Sequence, residues 1–337
     1  MAVDSDYRGL GWKHGTLTVQ RHGAMLAPLT FVLADGRQVS PMHIAPWADQ
    51  PIAATLPGIL QRLRGDWVCV PFGCASEDPT APPSWARLNG PAESGEEIHG
   101  HSSNHPWTWV DGDDDSLALT LDYPTESPVR RVHRSVTPFA DAAAVELNFG
   151  IEFRRDCRLP LGLHPMFRLP ADPRRARIEP GRFREGRTYP GTVEPAAPLF
   201  AIDESFASLE AVPLRAGGTF DASLVPLPLN TEELLQLNGI DHVALANEAE
   251  GYRVKLSWNG DHFPSLLLWF SNRGRQAEPW NGRHVALGME PVCSPFGLGP
   301  ASARADNPMM LSGTPTARDF KAGETFTTRY RIEAEAL

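Results

Sequence analysis

The chemistry in this chain starts from Gly162-Leu163-His164-Pro165-Met166-Phe167-Arg168-Leu169. A residue before proline is pushed out of the helical region into extended backbone. His164 is therefore expected at the end of a strand or in the turn after it. An imidazole held there can serve two ends. It can be a hydrogen-bonded strand-end side chain, or it can aim into a cavity and move protons near neutral pH.

Three other stretches offer partners. The first is Ile98-His99-Gly100-His101, followed by His105. On an extended strand His99 and His101 would share one face, and three such imidazoles are open to three readings: a metal site, contacts to a substrate, or histidines of a polar loop with no such role. The second is Asn238-Gly239-Ile240-Asp241-His242. Asp241 is either a turn residue bonding its own backbone or a carboxylate that receives hydroxyl groups. The third is Gly288-Met289-Glu290-Pro291. Glu290 ends an apolar run, where desolvation would raise its pKa and make it a candidate acid or base.

These residues need a scaffold, and alternation supplies one. Val145, Leu147, Phe149, Ile151 and Phe153 alternate with Glu146, Asn148, Gly150 and Glu152. The same period returns at residues 117–123, 252–258 and 326–332, and it marks half-buried strands. Thr231 to Leu237 reads as two helical turns, with Asn230 or Thr231 as N-cap. Residues 73–97 and 170–200 read as long loops. With 32 prolines and 29 glycines, long helices are disfavoured and turns abound. Many short strands joined by such turns predict an all-β, large antiparallel β-sandwich.

Composition narrows the partners. The net charge of -10 provides no basic face for nucleic acid or an anionic membrane. The longest strongly apolar stretch, Leu266 to Phe270, is too short to span a bilayer. The start lacks a basic segment followed by an apolar one, so a cytoplasmic location is expected. The cysteines at 69, 74, 157 and 293 are expected to be reduced. Cys69 reads as a small core residue.

Taken together, His99-Gly100, His164-Pro165-Met166-Phe167-Arg168-Leu169, Gly239-Ile240-Asp241-His242 and Glu290 resemble the aldose 1-epimerase family, the galactose mutarotases and their relatives. Ala322-Gly323-Glu324 before the last alternating segment adds to the likeness, which begins near residue 20. The resemblance implies one galactose mutarotase-like domain over residues 1–337, often called a supersandwich. It implies a sugar or sugar-derivative substrate and interconversion of α and β anomers. By position, Glu290 would be the general base and His164 the general acid. His99 and Asp241 would hold sugar hydroxyls. No cofactor is implied.

Three departures bear on the sugar. Pro71-Phe72-Gly73-Cys74-Ala75-Ser76 lacks the arginine found in family loops, His101 replaces a glycine, and Arg168 replaces an asparagine. Arg168 could pair with a phosphate or carboxylate on the substrate, or be a surface arginine. Two other readings stay open. One is a non-catalytic carbohydrate-binding sandwich, since fold alone does not decide function. The other is a metal-dependent hydrolase or isomerase built on His99, His101 and His105.

Overall fold

The computed structural model describes residues 5–73, 83–86, 97–112, 114–193 and 198–337. Cys74 and most of the 73–97 stretch lie outside these residues.

The expected antiparallel architecture is present. One sheet has eight strands. It runs through Thr231–Asn238, Ser265–Asn272, Val285–Cys293 and Leu161–Leu163 to Val68–Cys69 at one end, and Met166–Arg168 also pairs with Val285–Cys293. A nine-stranded sheet carries His242–Asn247, Tyr252–Trp258, Thr325–Ala336, Ala144–Phe153, Val129–Pro138 and Leu117–Asp122 in that spatial order. All four alternating segments read from the sequence are strands of this second sheet. A four-stranded sheet near the start, from Tyr7–Trp12 to Gln38–Val39, completes the main elements.

The inner faces of the two large sheets form one hydrophobic core. Leu235, Leu237, Leu268, Phe270, Leu287 and Met289 from one sheet join a cluster with Leu147, Phe149 and Ile151 from the other. Each such side chain contributes roughly 1.5–3 kcal/mol when fully buried. The opposite face of the eight-stranded sheet is buried too. There Trp67, Cys69, Met166, Leu267, Trp269 and Val292 form a second cluster under connecting segments and short helices. A strand covered on both faces loses its alternation. That is why Ser265–Asn272, buried at every position, reads as a continuous apolar run.

Two expectations are corrected here. Thr231 to Leu237 is not helical but a strand, Thr231–Asn238, in register with Ser265–Asn272 along its whole length. Tertiary pairing overrides a weak local preference. Its acidic residues, which mimicked a helix first turn, are buried and bonded: Glu232 accepts from Trp269 Nε1 at 3.0 Å and Ser271 Oγ at 2.9 Å. The 170–200 stretch is likewise not all loop, since Ala176–Pro180 and Glu185–Thr188 are strands in it.

Candidate active site

His164 and Glu290 face each other across a strand pair. The register that couples Gly162 to Val292 and Met166 to Gly288 puts His164 opposite Glu290. Pro165 interrupts the strand between them without breaking the alignment, because its carbonyl still accepts from the Met289 N–H at 3.0 Å. On the other side, Gly162 pairs with Cys69 and Leu163 with Val68. This register continues to Trp67, whose carbonyl accepts from the His164 N–H at 2.9 Å. The imidazole stacks on the Trp67 ring, with centroids 4.1 Å apart and planes at 20°. Its Nε2 lies 3.5 Å from Glu290 Oε1, and both side chains are buried.

Burial sets their electrostatics. It pushes the Glu290 carboxyl well above the usual carboxylate range, with no other cause acting. It pulls the His164 imidazole well below the usual histidine value, and the neighbouring His99 adds to the effect. Burial disfavours the charged form of each. The favoured state is therefore a protonated Glu290 beside a neutral His164, one proton between two bases.

His99 closes this site from a third element. It is not on an extended strand, where it would share a face with His101. It caps the short helix Gly100–Asn104 in left-handed backbone, φ 58° and ψ 20°. Gly100 is left-handed as well, and a Cβ there would meet the Val70 carbonyl oxygen at 2.0 Å, so only glycine fits. This bend turns His99 away from His101 and sets its ring edge-on to His164 at 5.0 Å and to Phe72 at 4.8 Å. Its Nδ1 accepts from the Gly73 N–H at 3.4 Å, so Nε2 carries the proton and can donate to a hydroxyl. Burial, helped by Arg275, lowers its pKa to about 4.

The structure thus brings Glu290, His164 and His99 together. Asp241 and Arg168 are engaged with other side chains. Asp241 is 67% exposed and its carboxylate accepts from His242 Nδ1 at 2.7 Å. Arg168 forms a two-pronged pair with Glu250, at 2.8 and 2.6 Å, so its guanidinium already holds a carboxylate.

Three residues of this face were not singled out from the sequence. Trp67 stacks under His164. Trp269 stands edge-on to His164 at 6.0 Å. Arg275 lies over both Trp269 and Trp280, at 5.4 and 4.6 Å from the ring centroids. Its Nε lacks a hydrogen-bond partner among the described residues. The continuous apolar run around Trp269 was a usable signal for a buried face, but nothing local marks Trp67 or Arg275.

Gly288 leaves the room that Glu290 occupies. A Cβ at 288 would sit 2.3 Å from Glu290 Oε1 and 3.1 Å from the Trp269 Cβ. Gly288→Ala should therefore displace the carboxylate while sparing the core. Misplacing a reacting group by about 1 Å can cost roughly 10²-fold in rate. Turnover should fall to that extent with little change in the denaturant midpoint. An unchanged turnover would mean that Glu290 need not sit where it does.

Neither a protein-family model nor a curated protein matches the chain. Solved structures do. A candidate aldose 1-epimerase of Escherichia coli K12 superposes with a TM-score of 0.62 at 15% identity, over 98% of this chain and 99% of that one. A galactose mutarotase related enzyme of Lactobacillus acidophilus gives 0.61 at 12%, over 98% and 97%. A galactose mutarotase-like protein of Lactobacillus casei gives 0.56 at 14%, over 98% and 100%. At these identities the likeness establishes the fold, which is galactose mutarotase-like from end to end.

Proposed function

We propose that this galactose mutarotase-like chain is an isomerase that interconverts the α and β anomers of a hexose or modified hexose. The observation that carries the reading is the buried, unpaid pair His164–Glu290, set in register on one face of a sheet and walled by tryptophans. Purely structural buried acids are normally hydrogen-bonded. Here the Nδ1 of His164 has no partner among the described residues, and among them the close polar contact shown for Glu290 is with His164.

The reaction needs one base and one acid. The base removes the proton of the anomeric hydroxyl while the acid protonates the ring oxygen, and the ring opens to the aldehyde. Rotation about the C1–C2 bond presents the other carbonyl face. The transfers then reverse and the ring closes, so every proton is returned. Glu290 serves as base and His164 as acid when the shared proton rests on the imidazole. The roles exchange when it rests on the carboxyl, and the net charge is the same in both. His99 Nε2–H holds a sugar hydroxyl, and Trp67 and Trp269 supply apolar ring faces. The chemistry calls for no metal, nucleotide or redox group. Asp241 and Arg168, already paired with His242 and Glu250, keep their proposed binding roles only if substrate reaches them.

The test is anomer exchange, followed by NMR or polarimetry on a panel of anomerically pure sugars, sugar phosphates and uronates. No exchange on any of them would favour a binding module. The pH profile of kcat/KM follows from the two shifts. The active pair holds one proton. On the acid side activity is lost when His164 takes a second proton, below the ordinary histidine value of about 6.5. On the alkaline side it is lost when Glu290 gives up the only one, above the ordinary carboxylate value of about 4.3. Between these limits kcat/KM should be flat, because the limbs report the free enzyme's acid and base. An acid limb at the unperturbed histidine value would contradict the buried-pair assignment.

A further inference from the structure

The same histidine run serves a second place. Glu97, His101 and His105 converge on the far side of the bend at His99, with one potential ligand atom from each within 4.8 Å of the others. Among the described residues no second group of three does so. The Glu97 carboxylate lies 3.2 Å from His101 Nδ1 and 2.9 Å from His105 Nε2. The two imidazole rings lie with centroids 3.9 Å apart and planes tilted by 31°.

We propose that Glu97, His101 and His105 form a binding site for a first-row divalent cation, zinc foremost, distinct from the His164–Glu290 site. Three things support it. The donor set, two imidazoles and one carboxylate, is one that zinc accepts. The spacing suits a small ion, since tetrahedral ligands at about 2.0–2.1 Å lie about 3.3 Å apart. All three side chains also line a cavity of about 800 Å³, shared with Tyr123, Cys157 and Arg158. That leaves a remaining coordination position for water or a ligand. Magnesium and calcium prefer all-oxygen sites.

The backbone explains how one run makes two sites. Glu97 accepts the Gly100 N–H at 2.8 Å in a tight turn. The left-handed pair His99–Gly100 then throws His99 toward His164. The short helix Gly100–Asn104 carries His101, and the chain leaves it extended at His105, φ -125° and ψ 156°. A bound cation would pin this segment on both sides of His99.

The experiment uses the full chain, stripped with chelator and dialysed. Titration with Zn²⁺ alone should load one metal per chain by atomic absorption and raise the melting temperature, as ligand linkage requires. Co²⁺ should give a visible absorption band of a low-coordinate nitrogen–oxygen site. Glu97→Gln and His105→Ala should each weaken zinc by more than the roughly 10–100-fold that follows loss of an outer-shell partner. Both variants should keep the wild-type far-ultraviolet spectrum, and Glu97→Gln, nearly isosteric, decides if His105→Ala does not fold. Wild type that takes up no stoichiometric zinc would overturn the proposal. So would zinc affinity unchanged in the folded Glu97→Gln variant.

Discussion

Glu290→Gln is expected to slow anomer exchange by roughly 10²–10⁴-fold, the range typical of one positioned proton-transfer group. The amide keeps the size of the side chain and its place opposite His164 but cannot carry the shared proton. His164→Asn should cost a similar factor for the same reason. The double variant should lose far less than the product of the two, because the pair works as one proton carrier. Stability should move the other way or not at all. A carboxyl whose pKa burial raises contributes nothing by being ionised, and its replacement by a neutral group removes a desolvation cost. The measurement is exchange by saturated, folded single variants alongside their denaturant midpoints. Wild-type exchange in both variants would remove these residues from the mechanism. Lost exchange together with a collapsed midpoint would assign them to folding instead.

A second large effect is expected in stability. Arg134 and Asp66 form an ion pair whose side chains are both fully buried. Arg134 also donates to the Ala24 and Asp66 carbonyls, the latter at 2.9 Å, and to the Tyr330 hydroxyl at 3.0 Å. Tyr330 donates to Asp66 Oδ2 at 2.6 Å. Arg134 and Tyr330 belong to the nine-stranded sheet, and Asp66 stands just before Trp67, the platform of His164. The network therefore ties the back of the molecule to the site. Asp66→Asn removes one charge and leaves the buried guanidinium without its counterion. The expected loss is about 3–5 kcal/mol. Removing both charges together, with Asp66→Leu and Arg134→Met, should recover much of it, because a well-packed apolar pair needs no counterion. Equilibrium unfolding of the three proteins checks this. A loss under about 1 kcal/mol in Asp66→Asn would mean that the pair is not held as described.

Much of this molecule was legible locally. Alternation at residues 145–153 and 252–258 predicted strands that the structure contains as Ala144–Phe153 and Tyr252–Trp258. The His164-Pro165 dipeptide predicted extended backbone, and His164 does sit between the strands Leu161–Leu163 and Met166–Arg168. The apolar setting of Glu290 predicted a raised pKa, and burial raises it. No helix among the described residues is long and apolar enough to cross a membrane, in keeping with the short apolar runs. These features rest on steric and burial preferences that act over a few residues, so they survive in a linear reading.

What the sequence by itself determined, then, was the period of the strands, the extended setting of His164 and the apolar setting of Glu290. The tertiary structure alone decided which residues meet. The register that sets residue 164 opposite residue 290 is a long-range pairing. Side chains alternate with period two, so a one-residue slip would turn Glu290 to the inter-sheet core. The strand at Thr231–Asn238 exists because its neighbour Ser265–Asn272 offers a full ladder, whatever its own helical leaning. His99 left its neighbours His101 and His105 because the Val70 carbonyl lies against Gly100, in the space a side chain would need. Asp241 and Arg168 matched a motif but ended beside His242 and Glu250. Spacing along a chain limits how far a residue can reach, but only the packed sheets fix the face on which it lies.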